Sequence, residues 1–437
     1  MSHYGSNFRP LCVAVLACLA TVAQGQTLPE VVRHSLENYP QVRASLAKAL
    51  AADAEIDKAS SAHMPQLSLT ASSNHYGSGT TPAAIGRTSL SPTAKINLWS
   101  GGRIDADTDR ARALSRAAHL TSQVTLDDVA LLVCEAYLNW AKTADLYQLA
   151  VKNMQLHAEV LEDIRIIAQT DTGRRIDLDQ ASVRLDNARL ILQQRKADLA
   201  QAMQKMQRFW PNDLDARPVG LDITMGKEGY FRDLPGSAAA AAESVSDQLP
   251  AIAQYVEQVQ AAQAALRMAK GLYWPSLDLV TSRQYNTETA KQDFLTQLQL
   301  NMPLYSGGSV TAQVKAAEQQ LKASQLSLEE ARLVQREKAL LAWQDWSATR
   351  TRAEVGGVQS DVGEKVVEGY RQQFKLAKRS LLDLLNIQAD SFGYRSAALS
   401  AFHDERIARA RLLASMGQLA SRFMPQSALA PSENTPS

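Results

Sequence analysis

Two stretches of this chain, residues 102–210 and 304–424, contain no proline. Proline removes a backbone donor and clashes with the preceding turn, so its absence over such lengths permits uninterrupted helix. A helix of about 65–70 residues would be about 100 Å long. Helices of that length lie far above the globular mean and imply neighbours packed along them. The apolar spacing supplies the seam. Val310, Val314, Ala317, Leu321, Ser324, Leu328 and Ala331 recur at alternating steps of four and three, the heptad pattern of helices lying side by side. Small residues on such a seam let helix axes approach closely, which accounts for the 67 alanines of the chain.

The two tracts belong to one plan used twice. Pro40 lies 210 residues before Pro250, Pro65 lies 210 before Pro275, and Ala51, Ala52 and Ala54 match Ala261, Ala262 and Ala264 at the same spacing. Ser100-Gly101-Gly102 matches Ser306-Gly307-Gly308 at a spacing of 206, as Asp177 matches Asp383. The four-residue difference is confined to the stretch between Pro65 and Gly101, which places a loop there.

The predicted organisation follows. Residues 26–210 form a first repeat, with a helix over 29–62, strands near 66–76 and 90–99, and a long helical hairpin. Residues 237–424 form a second, with a helix over 237–273 and strands near 276–285 and 294–305. Residues 170–173 (TDTG) and 374–380 interrupt the helical tracts at equivalent places and mark the two hairpin turns. Residues 211–236 concentrate proline and glycine and join the repeats, and 425–437 form a polar, flexible tail.

Residues 11–20 (LCVAVLACLA) form an apolar run after Arg9, and Ala23 and Gly25 are spaced as in a signal-peptidase site. The run is too short for a bilayer core of about 30 Å, so residues 1–25 read as a secretory signal. A buried N-terminal helix and a lipoprotein signal ending at Cys18 are the alternatives. With Cys12 and Cys18 removed, Cys134 stands alone, which excludes an internal disulfide and a zinc cage.

The chain carries 46 Lys and Arg against 45 Asp and Glu, and its mean hydropathy is −0.23. It therefore lacks the basic balance of a nucleic-acid binder. No catalytic, cofactor or metal motif emerges. The seven histidines are scattered, Gly77-Ser78-Gly79 reads as a loop tip, and no P-loop, nucleophile elbow or H-E-x-x-H helix is present.

The strands are the most informative segments. Leu298, Leu300, Met302 and Leu304 alternate with Gln297, Gln299 and Asn301; Ala94, Ile96 and Leu98 alternate with Thr93, Lys95 and Asn97; Leu67, Leu69 and Ala71 alternate with Ser68, Thr70 and Ser72. One apolar and one polar face fits a half-buried sheet in a soluble protein and also an outer-membrane barrel. The secretory signal favours the barrel, as do Trp99 and Tyr305 at equivalent strand ends, where an aromatic girdle would lie. Gly101, Gly102, Gly307 and Gly308 then permit the turn from strand to helix. Four strands cannot close a barrel, for which about eight are needed, so several chains must share one; three would supply twelve strands.

In this order, duplicated, the motifs resemble the TolC-like outer-membrane efflux family over essentially the whole mature chain. The carrying residues are Leu28-Pro29, Tyr39-Pro40, Met64-Pro65-Gln66-Leu67, Leu98-Trp99-Ser100-Gly101-Gly102, Pro303-Leu304-Tyr305-Ser306-Gly307-Gly308, and the run from Arg379 through Ser380, Leu381, Leu382, Asp383 and Leu384 to Leu385. The resemblance implies a mainly α homotrimer with a twelve-stranded barrel in the outer membrane and a coiled-coil tunnel across the periplasm. It implies no catalytic residue and no cofactor. Its partners would be outer-membrane lipid, a periplasmic adaptor and an inner-membrane transporter.

By the same resemblance the periplasmic entrance falls on Asp383, Arg379 one helical turn earlier, and Asp177. Asn386 stands where a second aspartate is expected and Phe374 where a tyrosine is common. An ordinary helical ion pair is the plainer reading of Asp383 and Arg379. The start of the mature chain close to Leu28-Pro29 tilts the expected cargo toward type I secretion of a large protein, with an ATP-binding (ABC) transporter. Multidrug or small-molecule efflux is the alternative within the same architecture, and a periplasmic coiled-coil scaffold the alternative outside it.

Overall fold

The computed structural model describes residues 27–73, 88–171, 174–211, 213–215, 218, 229–286, 292–376 and 378–424. The signal segment, Gly77-Ser78-Gly79, Thr172-Gly173, much of 211–236 and the tail lie outside them. In chain order, α1 (Leu28–Asn38) and α2 (Pro40–Ser60) lead into β1 (Gln66–Ser73) and β2 (Thr88–Trp99), then α3 (Arg103–Thr170) and α4 (Arg175–Gln207). The second repeat runs through α5 (Ala238–Glu243), α6 (Pro250–Lys270), β3 (Ser276–Asn286), β4 (Gln292–Asn301), α7 (Ser309–Lys375) and α8 (Leu381–Ser415), and α9 (Leu419–Phe423) follows.

The duplication is visible in the backbone. Tyr39 and Leu249 each precede a proline in extended conformation, with ψ of 131° and 127°. A proline ring disfavours helix at the residue before it, so the single helices expected over 29–62 and 237–273 are each broken there. Gly101, Gly102, Gly307 and Gly308 all have positive φ, between 63° and 82°. Left-handed backbone is costly for residues with a Cβ, which explains both Ser-Gly-Gly runs at the strand-to-helix turns.

Helices α3 and α7 span 68 and 67 residues, about 100 Å each. The heptad seam on α7 is where the sequence placed it: Val314 is buried, positions 310, 317, 321, 324, 328 and 331 are half-buried, and the residues between them are exposed. Each long helix folds back on its successor, α3 on α4 and α7 on α8. Beside the sheet the helices lie in the order α2–α3–α6–α7; toward the hairpin ends the order is α4–α3–α8–α7. The main core gathers α1, the middle of α3, and the ends of α4 and α8 around Tyr137 and Trp140, whose rings meet edge to face at 5.6 Å. Tyr230 and Phe231 of the joining segment dock there against Phe423.

The four strands form one antiparallel sheet in the order β1-β2-β3-β4. β4 ends at Asn301, short of the expected 305, because Pro303 has no N–H to continue a ladder. Tyr305 therefore does not end a strand; it lies four residues beyond β4 and is 90% exposed. Trp99 does end β2, and its ring meets Trp274 edge to face at 6.4 Å.

Candidate functional site

The sheet register sorts side chains into two faces. Leu67 pairs with Ala94, Ile96 with Leu279, Leu279 with Leu298, and Leu277 with Leu300. This face is not covered by the chain: Leu67, Leu69, Leu298, Leu300 and Phe294 are all exposed. On the other face Gln66 pairs with Lys95, Asn97 with Asp278, and Asp278 with Gln299. Asp278 accepts hydrogen bonds from Asn97 Nδ2 at 2.8 Å and Lys95 Nζ at 3.0 Å, tying β2 to β3 where the sheet meets the helices. An uncovered apolar face backed by a polar one fits strands with lipid on one side and water on the other. Among the described residues no helix is long and apolar enough to cross a membrane. The edges β1 and β4 have strand partners on one side only.

At the opposite end, the two hairpin turns hold the expected entrance residues. Asp383 is the third residue of α8 and forms a capping box, its carboxylate accepting from Ser380 N–H at 3.4 Å and also from Ser380 Oγ at 2.8 Å, while Ser380 Oγ accepts from Asp383 N–H at 3.2 Å. Asp177 holds the equivalent place in α4 and pairs with Arg174 at 3.3 Å. A carboxylate in the first turn also meets the positive end of the helix dipole, so the repeated aspartate has a local cause.

Arg379 departs from expectation. It precedes the N-cap Ser380 and so is not one helical turn before Asp383 on a common helix. Instead its guanidinium lies 4.6 Å from the Tyr370 ring centroid and its Nε donates to Gln373 Oε1 at 3.0 Å, both on α7. Phe374 packs into an apolar cluster of Val160, Ile164, Ala181, Leu381 and Leu385. Tyr370, one turn earlier, supplies the aromatic face for the arginine.

The contacts joining the two hairpins are others. Arg184 of α4 donates to Asn386 Oδ1 at 2.9 Å, and Arg371 of α7 pairs with Glu159 of α3 at 3.1 Å. Sequence reasoning singled out Asn386 but missed Arg184, Glu159, Arg371 and Tyr370. Partners about 200 residues apart leave no local signal. Among the described residues no cluster of histidine, cysteine, aspartate or glutamate could hold a metal.

Comparison with known proteins agrees with this geometry. The family described as outer membrane efflux protein matches residues 31–210 and 242–418. The outer membrane efflux protein BepC of Brucella suis biovar 1 (strain 1330) is 23% identical over 425 residues, covering 94% of this chain and 91% of BepC. The Campylobacter jejuni CmeC outer membrane channel superposes with a TM-score of 0.79 at 13% identity, over 90% of this chain and 86% of CmeC. The open state of the Neisseria gonorrhoeae MtrE outer membrane channel gives 0.73 at 17% identity, over 90% of each chain.

Proposed function

Because this chain belongs to the outer membrane efflux protein family, and is thus an outer-membrane channel with a periplasmic tunnel rather than an enzyme, we propose that it works as a homotrimer. The observation that carries the reading is the pair of open flanks on one chain. The sheet has free edges at β1 and β4, and twelve strands, four from each of three copies, exceed the minimum for closure. The helical wall is open at the same two flanks. On α7, Leu326, Leu333, Leu341, Val355 and Val362 are exposed along one face; on α4, Ile176, Val183 and Leu190 are exposed at seven-residue spacing; on α2, Leu46 and Leu50 are exposed. Joining β4 to the next copy's β1 lays α7 against that copy's α2 and then its α4. One operation covers every stripe. A monomer mass in mild detergent, measured by light scattering, would refute the trimer.

The hairpin turns then form the periplasmic entrance. Arg379, stacked on Tyr370, holds the α7–α8 turn in shape, Asp383 and Asp177 set the first turns of the returning helices α8 and α4, and Phe374 packs them together. Asn386 and Arg184 link one hairpin to the other. The Trp99–Trp274 pair and the exposed Tyr305 place aromatic side chains at the water–lipid boundary.

The channel takes cargo through a periplasmic adaptor from an inner-membrane transporter. The description of the Brucella relative as an efflux protein supports efflux, of which multidrug or small-molecule export is one form; type I secretion through an ABC transporter is the reading expected from the sequence. Deleting the gene separates them. Rising susceptibility to amphipathic drugs supports efflux, and loss of a large protein from the culture medium supports secretion.

A further inference from the structure

The interior of the helical bundle changes chemistry partway down. The main core has its last member on α3 at Ala144, and the cluster near the hairpin turns begins at Val160. Between them, after the apolar Leu146, Leu149 and Ala150, α3 buries Asn153 and His157, and α8 buries Gln388 and Ser391. These four polar residues line a cavity of about 170 Å³ between α3, α7 and α8, large enough for about five waters at about 30 Å³ each. His157 is 5% exposed and Gln388 7%. Among the described residues neither His157 Nδ1 nor Gln388 Oε1 has a hydrogen-bond partner. Buried polar atoms are nearly always paired, so two orphans facing one cavity mark a place built for something that forms hydrogen bonds.

The surrounding charges favour a neutral ring. From α3 comes Lys152, from α7 Glu364, Glu368 and Arg371, and from α8 Arg395; from α4 comes Arg184. Arg371 is paired with Glu159 and Arg395 with Glu364, and Glu368 accepts from Gln372. Arg184 donates to the neutral Asn386. Burial first, and the charge of Arg184 second, hold His157 below the ordinary imidazole value of 6.5.

We propose that this layer is a proton-binding site in the tunnel wall: in acid, His157 Nδ1 takes a proton through the cavity, and the added charge loosens α3 from α7 and α8. Only one N–H bond forms, and the proton comes from bulk water. A histidine favoured neutral by the fold contributes its full stability above the unfolded value and loses it as pH falls through the folded one. Because the layer lies between the main core and the hairpin turns, the loosening frees the ends of α7 and α8 rather than the whole chain. This goes beyond the trimeric channel proposed above and concerns packing within one chain.

Amide hydrogen exchange of the full chain in lipid nanodiscs, at pH 7.5 and 5.5 and corrected for intrinsic exchange, tests it. The expected result is exchange about fivefold faster in acid for segments containing residues 149–160 and 385–395, with β1–β4 unchanged. His157→Gln and His157→Leu should both remove that response; the leucine replaces the ring at about equal volume without a titrating group and serves if the glutamine variant folds poorly. A flat wild-type profile overturns the proposal. So does an acid response that survives in both variants, or one that disappears in His403→Gln, which alters the other histidine buried among the described residues, bonded to Asp145 at 2.9 Å.

Discussion

Removing two of the links between the hairpins, those nearest their turns, should open the proposed entrance. Arg184→Ala deletes the donor to Asn386, and Glu159→Gln deletes the negative partner of Arg371. The side chains of Arg371 and Glu159 are 31% and 60% exposed, so solvent screening limits the pair to about 0.5 kcal/mol. The Arg184–Asn386 contact is exposed and joins a charge to a neutral amide, and the same figure of about 0.5 kcal/mol applies. Each chain then loses about 1 kcal/mol and a trimer about 3 kcal/mol, which shifts a closed–open equilibrium by about 150-fold. Either substitution alone should give the square root of that, about tenfold. The assay is single-channel recording in planar bilayers at pH 7.5, where His157 stays neutral even without the repulsion of Arg184. If the doubly substituted protein has unchanged helix content by circular dichroism and unchanged open occupancy, these contacts do not hold the hairpins together.

Asp383→Ala with Arg379→Ala is expected to raise single-channel conductance as well, by fraying the first turn of α8 at a cost of about 1 kcal/mol for the lost capping box; unchanged conductance removes both residues from the gate. Asp127, whose carboxylate accepts from Ala420 N–H at 2.8 Å, is pushed up to about 6 by burial. A raised folded value means its stabilising contribution is present below about pH 4 and lost as pH rises through about 6. Asp127→Asn keeps the acceptor without the charge, so thermal scans should show wild type falling behind it between pH 4 and pH 7. At Gly101 an added Cβ would lie 2.6 Å from Trp274 Cβ, whereas at Gly307 it would meet nothing within 4 Å. Gly101→Ala should therefore lower the melting temperature more than Gly307→Ala, although both add left-handed strain. On β1, Leu69→Arg should cost up to about 2–4 kcal/mol of insertion into lipid vesicles and Thr70→Arg far less; equal costs would contradict the assignment of the two faces.

The hairpin turns show where sequence reasoning reaches and where it stops. Asp177 and Asp383 match in the sequence at a spacing of 206, and each stands third in a returning helix, a place that depends only on neighbours in the chain. Arg379 looked like a partner of Asp383 because four residues separate them. Ser380 caps α8 between the two, so the arginine faces back to α7. Tyr305 looked like a strand end by alternation alone, which does not register that Pro303 has already ended the ladder.

What the sequence alone determined is everything that repeats or alternates along the chain. The proline-free tracts, the heptad of α7, the alternation in the strands and both Ser-Gly-Gly turns follow from short-range sterics and burial, and each is legible within a few residues. What only the tertiary structure decided is which elements become neighbours. It set Arg184 beside Asn386 and Arg371 beside Glu159, and it enclosed His157 with Gln388 in one cavity. It also left matching apolar stripes on α4 and α7 open at opposite flanks of one chain. Those pairings depend on how two helical hairpins lie against each other over 100 Å, a geometry to which many weak contacts contribute and that no single motif encodes.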